Sequence, residues 1–219
     1  MKNSDPASAE QYLPERPTLP RLREAVQSCR GCDLYKNATQ AVFGEGPQSA
    51  QIVFIGEQPG DEEDLKGHPF VGLAGRLFDR ALQDAGIDKS EVYVTNTVKH
   101  FRFEERGKRR LHKKPRQSQI DACSPWLKAE LEIVRPKVLV CLGATAARAL
   151  FGPLYKLTKE RGRWTSHPWA AHATSTVHPS SLLRIPDSAD RKAAYENFVE
   201  ELRAIKKRIG SNKITQAPA

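Results

Sequence analysis

Short apolar runs alternate along the chain with longer stretches in which apolar residues recur every three or four positions. Gln51 to Ile55, Val92 to Thr95 and Val138 to Leu142 read as buried strands. Leu73, Leu77, Phe78, Ala81 and Leu82 mark one face of a helix. Pro115 opens another, with Ile120, Leu127, Leu131 and Val134 on one side and Pro136 at its end. Gly143 to Phe151 predicts a short helix, Trp164 to Val177 an irregular strand-rich stretch, and Asp187 to Lys207 a long amphipathic helix. Strands alternating with helices predict an α/β fold, with a mostly parallel sheet covered on both faces and its ligand site at the carboxyl ends of the strands. Residues 1–20 carry four prolines with little apolar periodicity, and residues 210–219 are small and polar. Both ends are therefore expected to be flexible segments around one domain, residues 21–209.

Composition narrows the partner class. The 219 residues suit one large α/β domain, and 35 Lys and Arg against 26 Asp and Glu give a formal charge of +9, which concentrates polyanions such as nucleic acid. No stretch approaches the length of a membrane span and no signal-peptide pattern opens the chain, so a soluble cytoplasmic protein, a monomer with no membrane partner, is expected. In a reducing compartment four cysteines suggest metal, a cluster or plain core thiols, not disulfides.

Four small constellations fall after predicted strands. Gly56-Glu57-Gln58-Pro59-Gly60-Asp61 fixes a tight turn that can present backbone amides and two carboxylates to a pocket, although an ordinary strand-to-helix turn has the same look. In Gly67-His68-Pro69-Phe70-Val71-Gly72 the Phe70 ring could offer a face to a base. Asn96 ends the Val92 strand, and its amide both donates and accepts, as a pyrimidine edge requires. His178, in His178-Pro179-Ser180-Ser181, stands where it could donate to an anionic leaving group. Taken singly, a Phe, an Asn or a His in such places is more often structural; their joint placement raises all four.

Two further features are Cys29-Arg30-Gly31-Cys32 with the distant Cys123 and Cys141, and the basic run Lys108-Arg109-Arg110-Leu111-His112-Lys113-Lys114. Four thiolates drawn from such different elements suit tetrahedral zinc or a [4Fe-4S] cluster, and ligand chemistry alone does not separate them. The basic run suits phosphate binding, and its cations disfavour protonation of His112, which leaves an imidazole lone pair free.

Together these motifs resemble the uracil-DNA glycosylase superfamily, especially its iron-sulfur family-4 branch, from about Ser28 to the last helix. That resemblance implies a three-layer αβα sandwich around a four-stranded parallel sheet. It implies Phe70 stacked on uracil, Asn96 on its edge with Gln58 nearby, and His178 stabilising the uracil anion. It also implies Glu57 or Asp61 orienting the nucleophile, and a [4Fe-4S] cluster on Cys29, Cys32, Cys123 and Cys141. The basic run and Gln58 resemble the X-type uracil-DNA glycosylases, whose loop carries Ile where Leu111 stands. On that likeness His112 attacks the sugar C1′ once uracil has left and stays bonded to it. Lys108, Arg109, Arg110, Lys113 and Lys114, with Ser180 and Ser181, are expected DNA contacts. The substrate is expected to be uracil-containing DNA, preferably single-stranded, where extruding a base costs less. A turnover family-4 glycosylase and a non-enzymatic, metal- or cluster-bearing nucleic-acid-binding protein are the alternatives.

Overall fold

A computed structural model describes residues 8–210. The first helix is α1 (Leu19–Ala25), and after it come β1 (Ile52–Gly56), α2 (Asp61–Lys66), α3 (Leu73–Asp84) and β2 (Val92–Asn96). A hairpin of β3 (Phe103–Arg106) and β4 (Arg109–His112) leads to α4 (Gln117–Val134), β5 (Val138–Leu142), α5 (Ala144–Phe151) and α6 (Leu157–Glu160). The chain then runs through β6 (Thr165–His167), β7 (Ala170–Thr176), α7 (Pro179–Leu182) and α8 (Ser188–Gly210).

The main sheet has the order β2-β1-β5-β7-β6. The expected four parallel strands are β2, β1, β5 and β7, and a fifth, β6, runs antiparallel at the edge. The extra strand comes from the stretch that reads as irregular: residues 165–176 fold back on themselves, so β6 pairs with its own continuation.

Alternation along the strands builds a core on each face. On one face Val53, Ile55, Tyr93, Leu139 and Ala173 pack with Leu22, Trp126, Leu131 and Ala146 from α1, α4 and α5. On the other Phe54, Val94, Val138 and Val140 pack with Phe78 and Leu82 of α3 and with Phe198 and Leu202 of α8. Three layers result because every central strand is apolar on both sides. Leu73, expected on the buried face of α3, is 66% exposed; it opens the helix, and the buried face is Gly75, Phe78, Ala81 and Leu82.

Residues 8–20, expected to be loose, are held to the core through Ala9, Tyr12, Leu13 and Leu19. Ala9 is fully buried and its N–H donates to the Ala122 carbonyl of α4 at 2.8 Å. The Thr18 hydroxyl caps α1, and Pro20 sits in its first turn, where a missing N–H costs nothing. Pro20, one of the prolines that suggest disorder, thus helps to start a helix. Residues 1–7 and the expected tail from 211 to 219 lie outside the described residues; Gly210 itself ends α8. Among the described residues no helix is long and apolar enough to cross a membrane.

Candidate active site

A cavity of about 610 Å³ opens at the carboxyl ends of the parallel strands, and Glu57, Phe70, Asn96, His112, Thr145 and His178 all reach it. Small residues make this convergence possible. A Cβ on Gly56 would stand 2.3 Å from Asn96 Oδ1 and 2.9 Å from the Phe70 ring, so only glycine lets both side chains cross the end of β1. Phe70 has a positive φ of 55°, unusual for a residue with a Cβ, and α3 accommodates its carbonyl only because Gly75 has no side chain. The ring is buried, tilted on Phe78 at 5.5 Å and roughly parallel to His178 at 6.1 Å between centroids.

Asn96 ends β2 over a buried ion pair. The Lys99 ammonium donates to the Asn96 carbonyl at 3.0 Å, to Thr95 Oγ1 at 2.7 Å and to Glu130, and Glu130 also accepts from Tyr93, Thr95 and the Gly44 amide. Both charges are fully buried and fully partnered, the condition under which such a pair is tolerated. Among the described residues nothing hydrogen-bonds the Asn96 side-chain amide, which keeps its donor and acceptor free.

His178 is held in one tautomer. The Ser180 N–H donates to its Nδ1 at 3.2 Å and the Ser180 hydroxyl lies 2.8 Å from the same nitrogen, while Arg184 donates to that hydroxyl at 3.0 Å. Nδ1 is therefore an acceptor and the proton rides on Nε2. Burial, with help from the neighbouring His112 and the Arg184 guanidinium, pushes the pKa down to about 4, so the ring is neutral at pH 7. Ser181 donates to the His178 carbonyl at 2.7 Å. Ser180 and Ser181, expected DNA contacts, spend their hydroxyls on the histidine loop.

Glu57 and His112 meet across the cavity mouth, with His112 Nε2 3.4 Å from Glu57 Oε1. Burial lowers the His112 pKa and Arg184 lowers it further, while Glu57 opposes both. Asp61, the other expected carboxylate, turns away: it begins α2 and binds Arg110 Nε at 2.5 Å, outside the cavity. Arg110 is pinned as well. Its guanidinium bridges Asp61 to the fully buried Asp64 at 2.6 Å and lies over Phe101 and Phe103, so it anchors the hairpin. Gln58 borders the cavity, but its amide bonds the Arg102 and Lys113 carbonyls and the Arg102 N–H, all at 3.1 Å, and so fastens both ends of the hairpin. Lys113 pairs with Glu104 and the Lys114 carbonyl accepts from Arg102, whereas Lys108 and Arg109 stand exposed near the hairpin tip.

Three cysteines gather. Cys29 and Cys32 raise the Cys123 pKa, which burial already lifts to about 12, and Cys29 raises that of Cys32 in the same way. Two N–H groups point at sulfur: Lys99 N at Cys123 Sγ, 3.3 Å, and Trp126 Nε1 at Cys29 Sγ, 3.2 Å. Cys141 does not join them, and only burial raises its pKa. It pairs in register with Ile55, which pairs with Thr95, so it stands two strand spacings, about 10 Å, from β2, while Cys123 lies past the β2 end at Lys99. The expected convergence of four thiols fails there, and among the described residues no group of three His, Cys, Asp or Glu side chains could hold a single metal ion.

Residues 43–203 match the model of the uracil DNA glycosylase superfamily. The chain belongs to that superfamily. Relatives include type-4 uracil-DNA glycosylases of Archaeoglobus fulgidus, 42% identical over 77% of this chain and 85% of the relative, and of Thermotoga maritima, 37% identical over 85% and 94%. One from Sulfurisphaera tokodaii is 34% identical over 87% of each chain.

Several parts of this glycosylase-family site escape a sequence reading. Thr145, Arg184 and the Lys99–Glu130 pair carry no motif of their own. Thr145 alone had a signal: it sits in the first turn after β5, the counterpart of the turn after β1 that holds Glu57. His100 is buried beside Lys99, and burial pushes its pKa down to about 4, leaving a neutral imidazole.

Proposed function

We propose that this protein excises uracil from DNA and then captures the abasic sugar on His112. The observation that carries the reading is His112 Nε2 facing Glu57 at 3.4 Å in the cavity that also holds Phe70, Asn96 and His178. The relatives' activity on uracil in DNA supports the first half, and the hairpin geometry supports the second.

A uracil extruded from the strand stacks on Phe70, and the free amide of Asn96 pairs with its edge. As the C1′–N1 bond breaks, its electron pair leaves with uracil, and the neutral His178 donates its Nε2–H to the developing anion. The lone pair of the neutral His112 imidazole bonds to C1′, and as the ring takes on positive charge its N–H gives its proton to Glu57. The proton ends on uracil, so one C–N bond is exchanged for another with no other reactant. A nucleophile held in place outcompetes water, which would otherwise add to C1′ with Glu57 as its base. Single-stranded DNA is the favoured substrate, because no base pair has to be broken.

The thiols of Cys29, Cys32 and Cys123, with N–H groups already aimed at two of the sulfurs, fit an iron-sulfur cluster. A bound [4Fe-4S] cluster would supply a cross-link between the 29–32 segment and α4. We assign the fourth position to His100, whose neutral ring has no hydrogen-bond partner among the described residues, in place of the remote Cys141.

The test is denaturing electrophoresis after mixing protein with a uracil-containing single strand. The expected result is a heat-stable, uracil-dependent shift, and its replacement by free abasic product in His112→Ser. An alkali-labile site without any shift in the parent protein would make this a turnover glycosylase.

A further inference from the structure

We infer that Thr145 is a positioning residue that sets whether the abasic sugar ends on His112 or on water. The inference rests on the reading of His112 as nucleophile. Among the described residues Glu57 is the only carboxylate paired with that imidazole, and its aim is fixed from three directions. Its backbone carbonyl accepts from Thr97 Oγ1 at 2.5 Å and from Val98 N at 3.1 Å. Its Oε2 accepts the Thr145 hydroxyl in a short hydrogen bond, which leaves Oε1 as the oxygen toward His112. Thr145 is 6% exposed, so its hydroxyl has little access to solvent and is committed to Glu57.

The His112–Glu57 separation of 3.4 Å is beyond a well-formed hydrogen bond, so a small rotation of the carboxylate decides whether the proton transfer has a path. Without the Thr145 hydroxyl, the Glu57 side chain, 22% exposed, can turn its carboxylate to water. His112 then has no carboxylate to take its proton as the ring becomes cationic, its attack on C1′ slows, and a water oxygen bonds to C1′ instead, its proton passing to Glu57 and on to uracil. Uracil departure itself depends on Phe70, Asn96 and His178; among the described residues Thr145 hydrogen-bonds none of these. Loss of this hydroxyl therefore acts on the partition of products and spares the first bond-breaking step.

Thr145→Val removes the hydroxyl at nearly constant shape, and Thr145→Ser keeps it. Single-turnover reactions on a uracil-containing oligonucleotide, with free uracil and covalent adduct measured in the same samples, read both steps. In Thr145→Val, uracil release is expected to stay within about threefold of the parent while the ratio of adduct to free abasic product falls about tenfold, the scale of one hydrogen bond to a carboxylate. Thr145→Ser restores the ratio. An unchanged ratio in Thr145→Val, or an equal fall in release and adduct that serine fails to rescue, overturns the role of Thr145 while the covalent reading stands. Absence of adduct from the parent protein overturns both.

Discussion

At the scale of single residues, protonation state divides the labour in the cavity. His178 is neutral because it is buried, with the Arg184 guanidinium beside it, and its tautomer is dictated by Ser180. His112 reaches solvent with half its side chain, yet its pKa is also lowered, so its neutral form persists below pH 6.5, where an unperturbed imidazole is half protonated. Since only the neutral ring can supply a lone pair, adduct yield followed from pH 8 to pH 5 is expected to fall with a midpoint below that of an ordinary imidazole. Quenched time points across that range would show it; a fall to half near pH 6.5 would mean an ordinary, unshifted histidine. The sequence makes these histidines legible as chemistry but not their neighbours' duties. Gln58, Asp61 and Arg110 have suitable side chains in suitable motifs, but the hairpin takes up Gln58 and Asp61, and the α2 carboxylates take up Arg110 of that hairpin. Residue type announces what a group can bind, while tertiary packing chooses its partner.

At the scale of elements, the parallel strands are legible because burial on both faces leaves continuous apolar runs in the sequence. The β3–β4 hairpin is not, since its strands, Phe103–Arg106 and Arg109–His112, are mostly charged and largely exposed, so no alternation of apolar and polar positions marks them. Its local trace is Gly107, at a φ of 60° in the turn. The hairpin's attachments give it a rigid base. Arg110 ties it to α2, and Gln58 ties its two ends to the β1 turn, so His112, paired with Phe103, is delivered at a fixed height over Glu57. Gln58→Ala removes three hydrogen bonds worth roughly 1 kcal/mol each. The expected outcome is a severalfold loss of adduct with uracil release nearly intact, measured in the same single-turnover format. A matching loss of uracil release would return Gln58 to the role of reading the base.

At the scale of the whole molecule, the packed N-terminal segment and the cysteines belong to one device. Residues 8–20 lie against α4, Cys29 and Cys32 follow directly, Cys123 rises from α4, and Lys99 reaches from Cys123 to the carbonyl of Asn96. A cluster at those thiols would thus staple the first part of the chain to the helix that supports the cavity-facing end of β2. Cysteine count alone suggests four equal ligands. It misleads because Cys141 is a strand residue, and strand spacing keeps it about 10 Å from β2 whatever its chemistry. If His100 completes the set, His100→Ala should lose most of the visible cluster absorbance and iron content after purification, while Cys141→Ala should keep both. Iron-to-protein ratios and absorption spectra of the two variants beside the parent decide the matter. Bleaching in Cys141→Ala with a full spectrum in His100→Ala would instead return Cys141 to the ligand set and overturn the assignment of His100.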